Sequence, residues 1–323
     1  MHISHGASLL FAFILILYHA VALDQQTWPH PLLIWHGLGD SYDADGLQSV
    51  GDLAKEVNRG TYVYNIRLSN SSSEDRRATF FGNLTEQLQT VCNDIARHPV
   101  LSKAKEVNAL GFSQGGQFLR GYVERCNRPA VRNLVTFGSQ HNGIDKFQGC
   151  GASDWVCKGA ESLLNANKWS NFAQGSLVPA QYFRDPENLD QYLEHSNFLA
   201  DINNEREHKN KTYASRIASL NKLVMFVFED DVTVQPKESG WFAEKNLTSE
   251  VITGLRQRQL YNEDWLGLKK LDQKGGLVFK ITPGKHMQLS DEVLEETFKK
   301  YFGTSYNLGN GDNRHQQQVW LDL

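Results

Sequence analysis

A five-residue pattern, G-x-S-x-G, spans Gly111 to Gly115 and constrains the fold more than any other feature of the sequence. An apolar strand pattern runs into it, and a helical pattern leaves it. The pattern is typical of a serine on a sharp, strained turn from strand to helix, where small neighbours avoid a Cβ clash. A Gly-rich loop can match this pattern by chance, so the catalytic interpretation depends on the strand before the pattern and the helix after it. We therefore predict that Ser113 is a nucleophile at the end of a buried strand.

Apolar runs that suit buried strands alternate with helical patterns along the rest of the chain. Besides the strand before Ser113, the predicted strands cover 31–36, 61–68, 132–138, 222–228 and 276–282. The predicted helices cover 46–58, 80–97, the segment from Ser113 to about 126, and 291–302, and 70–74 is a predicted loop. Such alternation is typical of a mainly parallel sheet flanked by helices, with functional residues past the carboxyl ends of the strands.

Two polar residues that follow later strands complete a hydrolytic set with Ser113. Asp231 and His286 each come shortly after a predicted strand. The order Ser, Asp, His is the chain order of the α/β-hydrolase fold. His286 would accept the serine proton as the general base, and Asp231 would orient the imidazole ring. His141, which also follows a strand, competes for the role of base, and Asp230 competes for the role of acid.

Backbone N–H groups are needed to bind the oxyanion of a tetrahedral intermediate at the serine. One predicted donor is the N–H of Gln114, directly after the nucleophile. The second is the N–H of Leu38, in the glycine-containing loop 36–39 that follows the first strand. A tight glycine turn without a catalytic role is the alternative interpretation of this loop.

The four cysteines predict two disulfides. Cys150 and Cys157 are close in sequence around a Gly-containing loop, which favours their pairing and leaves Cys92 and Cys126 for each other. A zinc site is the alternative, although neither a C-x-x-C motif nor nearby histidine spacing supports it. The sequence carries no other metal or cofactor signature, and we expect neither.

The first 22 residues predict a secretory signal peptide. An apolar run from Ala7 to Tyr18 precedes the small residues of 20–22, and cleavage is expected after Ala22. A retained membrane anchor is the alternative, but the run is shorter than the ~20 residues of a membrane span. In a secreted chain the N-x-S/T sequons predict glycosylation, here at Asn70, Asn83, Asn210 and Asn246.

The mature chain is expected to form one domain over 23–303, followed by a polar tail over 304–323. Two segments without strand alternation interrupt it, at about 139–219 and 236–275. The larger, a helical or irregular insertion, is expected after the sixth strand of the hydrolase fold. A net charge of −4 without a basic cluster argues against a nucleic-acid-binding protein.

Four segments resemble the lysosomal palmitoyl-protein thioesterase family, namely 31–41, 111–120, 195–203 and 284–290. The third lies in the insertion and not in the shared hydrolase core, so the resemblance is specific. It implies removal of long-chain acyl groups from cysteine thioesters of proteins or peptides, with Ser113 as nucleophile, Asp231 as acid and His286 as base. It also implies the two disulfide pairings above. The chain departs from the family in lacking an adjacent cysteine pair near 42–46 and in doubling the aspartate at 230–231.

Two other functions stay open at this point. A secreted carboxylesterase or lipase acting on oxygen esters would carry the same catalytic set, because a Ser-His-Asp constellation does not select the ester type. A non-catalytic protein that binds acyl chains could also keep the fold, although it would not require Ser113 and His286. The signal peptide places the chain in the secretory pathway. The sequons and the resemblance point to the lysosome, with secretion as the alternative.

Overall fold

Six parallel strands form the sheet at the centre of the molecule, in the order β2-β1-β3-β4-β5-β8. They are β1 (Leu32–Trp35), β2 (Val63–Asn65), β3 (Glu106–Phe112), β4 (Ala130–Phe137), β5 (Lys222–Phe228) and β8 (Leu277–Thr282). The expectation of a parallel α/β sheet is therefore confirmed. Because all six strands point the same way, the loops after β3, β5 and β8 meet at one edge of the sheet.

The structure is a computed structural model that describes residues 28–146, 158, 162, 167–246, 249 and 251–303. The predicted signal peptide, the Cys150–Cys157 pair and the tail over 304–323 lie outside the described residues. The α-helices within these ranges include α1 (Asp45–Val57), α2 (Ser72–Ala78), α3 (Leu84–Arg97), α4 (Gln114–Arg125), α5 (Asn171–Ser176), α6 (Leu189–His195), α7 (Leu199–Ile202), α8 (Lys211–Ser219), α9 (Gln259–Asn262), α10 (Leu268–Gln273) and α11 (Asp291–Thr297). Within the described ranges, no helix combines the length and the apolar character that a membrane span needs.

The core lies on both faces of the sheet. Along β1, Leu33 and Trp35 pack with residues of α3 and α4, while Leu32 and Ile34 pack with residues of α1 and α11. A strand covered on both faces has no solvent-facing side chain, which is why β1 reads as a continuous apolar run. Each such side chain contributes about 1.5–3 kcal/mol through burial.

The region between β2 and β3 differs from its prediction. The chain forms two helices there, because α2 occupies most of the predicted loop and α3 begins only at Leu84. Gly82 has φ of 132°, which ends any continuous helix, and the Asn83 side chain accepts hydrogen bonds from the first N–H groups of α3. β2 is also shorter than the predicted strand at 61–68.

The larger insertion follows β4 and contains α5 to α8 within the described residues. Within the described part, four strands of this chain precede it. The second insertion was predicted to be irregular, yet it holds a short antiparallel pair, β6 (Glu244–Lys245) with β7 (Ile252–Thr253). Two-residue strands are too short to show an alternating pattern in the sequence.

Candidate active site

Ser113 occupies the turn between β3 and α4 in a strained backbone conformation. Its φ is 51° and its ψ is −126°, a combination that costs a non-glycine residue about 1–3 kcal/mol. The backbone N–H of Ser113 donates to the carbonyl oxygen of Phe137 on β4, at 2.8 Å. In this conformation the Ser113 hydroxyl does not follow the direction of the α4 side chains. It faces His286 at the edge of the sheet where the strands end.

Glycines on either side of Ser113 allow the backbone of this turn to contact neighbouring backbone directly. A Cβ on Gly111 would lie 2.2 Å from the Cα of Gly116, and a Cβ on Gly115 would lie 2.3 Å from the carbonyl oxygen of Trp35. Neither position has room for a methyl group, and the obstructing atoms are backbone. The small residues on either side of Ser113 are therefore a steric requirement of the turn, as the motif predicts.

Ser113, His286 and Asp231 form a chain of hydrogen bonds across three loops. The Ser113 Oγ atom lies 3.0 Å from His286 Nε2, and His286 Nδ1 lies 2.7 Å from Asp231 Oδ2. The Asp231 side chain is nearly fully buried, and its Oδ1 atom accepts hydrogen bonds from the N–H groups of Thr233 and Val234 at 2.8 and 3.0 Å. This arrangement fixes the carboxylate and, through it, the orientation of the imidazole ring.

Asp230 and His141, the alternative candidates for the acid and the base, do not belong to this hydrogen-bonded chain. Asp230 is exposed, and its backbone N–H donates to the carbonyl oxygen of Gly284. His141 is fully buried, with its Nε2 atom 3.0 Å from the Thr136 hydroxyl and its ring stacked on Phe242. Burial, together with the charge of Arg120, holds the pKa of His141 well below its usual range, so the ring stays neutral.

The loop after β1 passes directly beside Ser113. A Cβ on Gly37 would lie 3.1 Å from the Cβ of Ser113, so only a glycine passes without displacing its neighbour. Leu38 follows in this loop with a partly exposed side chain. Gln114 is the first residue of α4, where the helix offers no acceptor for its backbone N–H. Both predicted oxyanion donors therefore belong to segments that adjoin Ser113.

The other predicted sites are found as follows. Cys92 on α3 and Cys126 at the end of α4 form a disulfide, which excludes both from a zinc site. Three of the sequon asparagines are exposed, whereas the fourth, Asn83, is half-buried as the cap of α3. In the described ranges, no three His, Cys, Asp or Glu side chains are grouped as metal ligands.

Two of the segments that carry the family resemblance contact each other in the structure. Arg120, in α4, donates to the carbonyl oxygen of Ile202 at 2.8 Å and to the Asn203 side chain at 2.7 Å. Arg120 is fully buried and also pairs with Glu124 at 2.8 Å. The insertion is thereby fixed to the helix that begins directly after Ser113, which gives a structural reason for the two segments to occur together.

Sequence reasoning missed three residues near the site. Asp75 and Thr79 bind the loop after β1, and the Tyr182 hydroxyl donates to the Gln114 side chain at 3.1 Å. Asp75 lies in a polar stretch that has no distinguishing pattern, and Tyr182 is one of many aromatic residues in the insertion. No signal in the sequence separates these residues from their neighbours.

Comparison with known proteins places the site in a family. A model of the palmitoyl protein thioesterase family matches residues 31–286. Palmitoyl-protein thioesterase 1 of Caenorhabditis elegans is 38% identical over 275 residues, which cover 84% of this chain and 91% of that protein. Palmitoyl-protein thioesterase 3 of Dictyostelium discoideum is 32% identical over 302 residues, which cover 93% and 98%. Lysosomal thioesterase PPT2 of Mus musculus is 27% identical over 278 residues, which cover 85% and 87%.

The matched residues include the turn at Ser113, the loop after β1, and Asp231 and His286, which are hydrogen-bonded in a chain with Ser113. Two relatives exceed 30% identity over most of their own length. The parallel sheet, with the serine directly after β3, is the architecture of the α/β-hydrolase fold. The chain therefore belongs to the palmitoyl protein thioesterase family and is a hydrolase of the α/β-hydrolase fold.

Proposed function

We propose that this protein hydrolyses long-chain fatty acyl thioesters, such as palmitoyl groups on cysteines of S-acylated proteins and peptides. The observation that carries the proposal is the hydrogen-bonded chain Ser113–His286–Asp231 in a member of this family. Relatives named palmitoyl-protein thioesterases, at 32% and 38% identity, support the substrate class.

The acylation step follows from the geometry. Ser113 Oγ attacks the thioester carbonyl carbon while its proton passes to His286 Nε2, 3.0 Å away. Asp231 stabilises the imidazolium that forms, and the N–H groups of Leu38 and Gln114 bind the oxyanion. The cysteine sulfur then departs with the bonding electron pair, and the proton held by His286 passes to it, so the imidazole is neutral again before deacylation. Because a thiol has a pKa near 8.5, the thiolate leaves with less help from a general acid than an alkoxide needs.

Deacylation repeats the same chemical steps with water as the nucleophile. His286 takes a proton from the water, which attacks the acyl carbon on Ser113, and the same two N–H groups bind the second oxyanion. Collapse of this intermediate breaks the bond to Ser113 Oγ, which regains its proton from His286. The fatty acid is released and the site returns to its starting state.

We also propose a cellular location for this protein, on separate observations. A disulfide between Cys92 and Cys126 is typical of the oxidising secretory pathway. We place the protein in the lysosome because one relative is named a lysosomal thioesterase, with secretion as the alternative. Exposed asparagines in three of the four sequons support glycosylation there.

The deciding experiment compares two matched substrates on the purified protein. One is a palmitoyl-cysteine peptide thioester and the other is the palmitoyl-serine ester of the same peptide. We expect the thioester to turn over much faster, and we expect Ser113→Ala to lose both activities by at least ~10⁴-fold. Equal or faster turnover of the oxygen ester would instead make the protein a lipase or esterase.

Turnover that survives in Ser113→Ala would remove the elbow from the mechanism. A fluorophosphonate probe, which forms a covalent adduct only with an activated serine, separates an enzyme from an acyl-chain-binding protein. We expect labelling of the wild type and none of Ser113→Ala or of heat-denatured protein.

A further inference from the structure

The loop after β1 is bound by side chains of one short segment, Asp75 to Thr79, at the end of α2 and directly after it. The backbone N–H of Gly39 donates to the Thr79 hydroxyl at 2.9 Å, and Arg76 Nε donates to the Gly39 carbonyl oxygen at 2.8 Å. Both polar backbone atoms of Gly39 are thus bound by this segment, which we call the α2 clamp. Gly39 directly follows Leu38, so the clamp fixes the backbone next to a proposed oxyanion donor.

The Asp75 carboxylate binds both ends of the segment 36–42, which contains this loop. It is fully buried and accepts hydrogen bonds from the His36 ring at 3.0 Å, from the Tyr42 N–H at 2.9 Å and from the Leu68 N–H at 2.7 Å. Burial raises the pKa of Asp75, but these hydrogen bonds outweigh it and the net pKa is lowered. The carboxylate therefore stays charged and holds the start and the end of the loop.

The α2 clamp also reaches the second proposed donor. The carbonyl oxygen of Thr79 accepts a hydrogen bond from the Gln114 side chain at 3.3 Å, and the Tyr182 hydroxyl donates to the other end of that side chain at 3.1 Å. The Thr79 hydroxyl donates its own proton to the Arg76 carbonyl oxygen at 2.7 Å, so its lone pairs face Gly39. One buried residue thus contacts the neighbour of Leu38 through its side chain and Gln114 through its backbone.

We propose that Thr79 is a positioning residue that sets the spacing between the N–H groups of Leu38 and Gln114. The proposal rests on the acyl-transfer site assigned above. Oxyanion stabilisation needs donors at 2.7–3.1 Å from the place where charge develops, and a misplacement of about 1 Å costs up to 10²-fold in rate. Without the Thr79 hydroxyl, the Gly39 N–H loses its acceptor, and the loop can shift relative to α4 as far as its bonds to Asp75 and Arg76 allow.

The test removes the hydroxyl and then restores it. Thr79→Val keeps the shape of the side chain without the acceptor, Thr79→Ser restores the acceptor, and Thr297→Val is the matched control. Thr297 is also buried, but its hydroxyl donates only within its own helix, to the Val293 carbonyl oxygen. We expect kcat to fall about 10- to 100-fold in Thr79→Val, with KM within twofold of wild type. Thr79→Ser is expected to recover kcat to within about threefold of wild type, and Thr297→Val to keep it.

A second readout separates donor spacing from general loss of structure. A palmityl trifluoromethyl ketone forms a tetrahedral adduct with the serine and places an oxyanion between the donors, whereas the neutral alcohol hexadecanol carries no negative charge. In Thr79→Val we expect the inhibition constant of the ketone to rise by the same factor as kcat falls, with hexadecanol affinity unchanged. Equal weakening of both ligands, unchanged kcat, or an equal loss of kcat in Thr297→Val would overturn the proposal.

Two further arms keep the test decisive. Should Thr79→Val fail to fold, Thr79→Ala loses the same hydroxyl without an added methyl group and takes its place. The oxygen ester of the same peptide forms an oxyanion too, so the loss of kcat is expected with either substrate. Wild-type protein that turns over only the oxygen ester would therefore contradict the proposed function and leave the test of Thr79 intact.

Discussion

The two segments that adjoin the reacting centre are held in place by different means. The nucleophile turn is fixed by backbone packing, with Gly111 and Gly115 so close to neighbouring backbone that a Cβ would lie at 2.2 and 2.3 Å. The loop after β1 is fixed by polar side chains, Asp75, Arg76 and Thr79, at the end of α2 and directly after it, with α1 and β2 between this segment and the loop in the chain. The first is a steric constraint between closely packed backbone segments, and the second is a set of hydrogen bonds from side chains to the loop backbone.

The difference has consequences for how each segment fails. A steric constraint cannot be weakened in small steps, because adding even one methyl group forces the backbone to move. A hydrogen-bonded loop loses one anchor at a time, since the remaining bonds at Gly39, His36 and Tyr42 still restrain it. We therefore expect changes at the turn to affect both folding and activity, and changes at the α2 clamp to affect mainly activity.

The largest expected effect is at Asp231, which combines both means of support. Its Oδ1 atom is held by two local N–H groups, and its Oδ2 atom reaches His286 from a different loop. Asp231→Asn should lower kcat by about 10⁴-fold, because the amide favours the wrong imidazole tautomer and does not stabilise the imidazolium. Asp230→Asn, at an exposed neighbour, is the matched control and should stay within about threefold of wild type. A larger loss at Asp230 than at Asp231 would reverse the assignment of the acid.

The next effect is at Gly115, where the steric constraint is broken directly. Gly115→Ala places a Cβ against the carbonyl oxygens of Trp35 and His36, at 2.3 and 2.4 Å. We expect the free energy of unfolding to fall by about 3 kcal/mol, as for severe overpacking, together with a loss of turnover. Urea unfolding and initial rates measure the two effects. Gly46→Ala, where a Cβ meets no atom within 4 Å, is the control and should leave both unchanged.

The smallest effect concerns the far part of α4, where Glu124 is buried against Arg120. Burial raises the pKa of Glu124 to about 7, against the opposing influence of the Arg120 charge. The folded state therefore binds this proton more tightly than the unfolded state, so the contribution of Glu124 to stability is complete below pH ~4.5 and is lost as the pH rises through about 7. The slope is at most about 1.4 kcal/mol per pH unit for one proton.

Urea unfolding at pH 5 and pH 7 measures this slope. Glu124→Gln should remove the part of the slope that Glu124 supplies, whereas Glu295→Gln, on the exposed surface of α11, should keep the wild-type slope. A Glu124→Gln protein that still loses the same stability between pH 5 and pH 7 would show that another group titrates in this range. An acidic compartment would favour the folded state through this residue.

Local patterns predicted the parts of the fold that local forces decide. Runs rich in apolar residues at β1, β3, β4, β5 and β8 identified the sheet, because strands that lie inside a covered sheet carry mostly apolar side chains. Helix α2 was missed, because most of it falls in or next to a predicted loop at 70–74, and α3 was predicted to begin at Phe80 although it begins at Leu84. There the cap and the backbone angle of single residues outweighed the periodicity.

The sequence by itself determined the elbow at Ser113 and the order in which Asp231 and His286 follow it. These depend on steric rules among neighbouring residues and on the fact that the ends of parallel strands meet at one edge. Only the tertiary structure decided that Asp231, and not Asp230, faces the histidine, and that His141 is a neutral core residue paired with Thr136. It alone also revealed the α2 clamp, because hydrogen bonds between side chains and backbone some 40 residues apart leave no pattern in the chain.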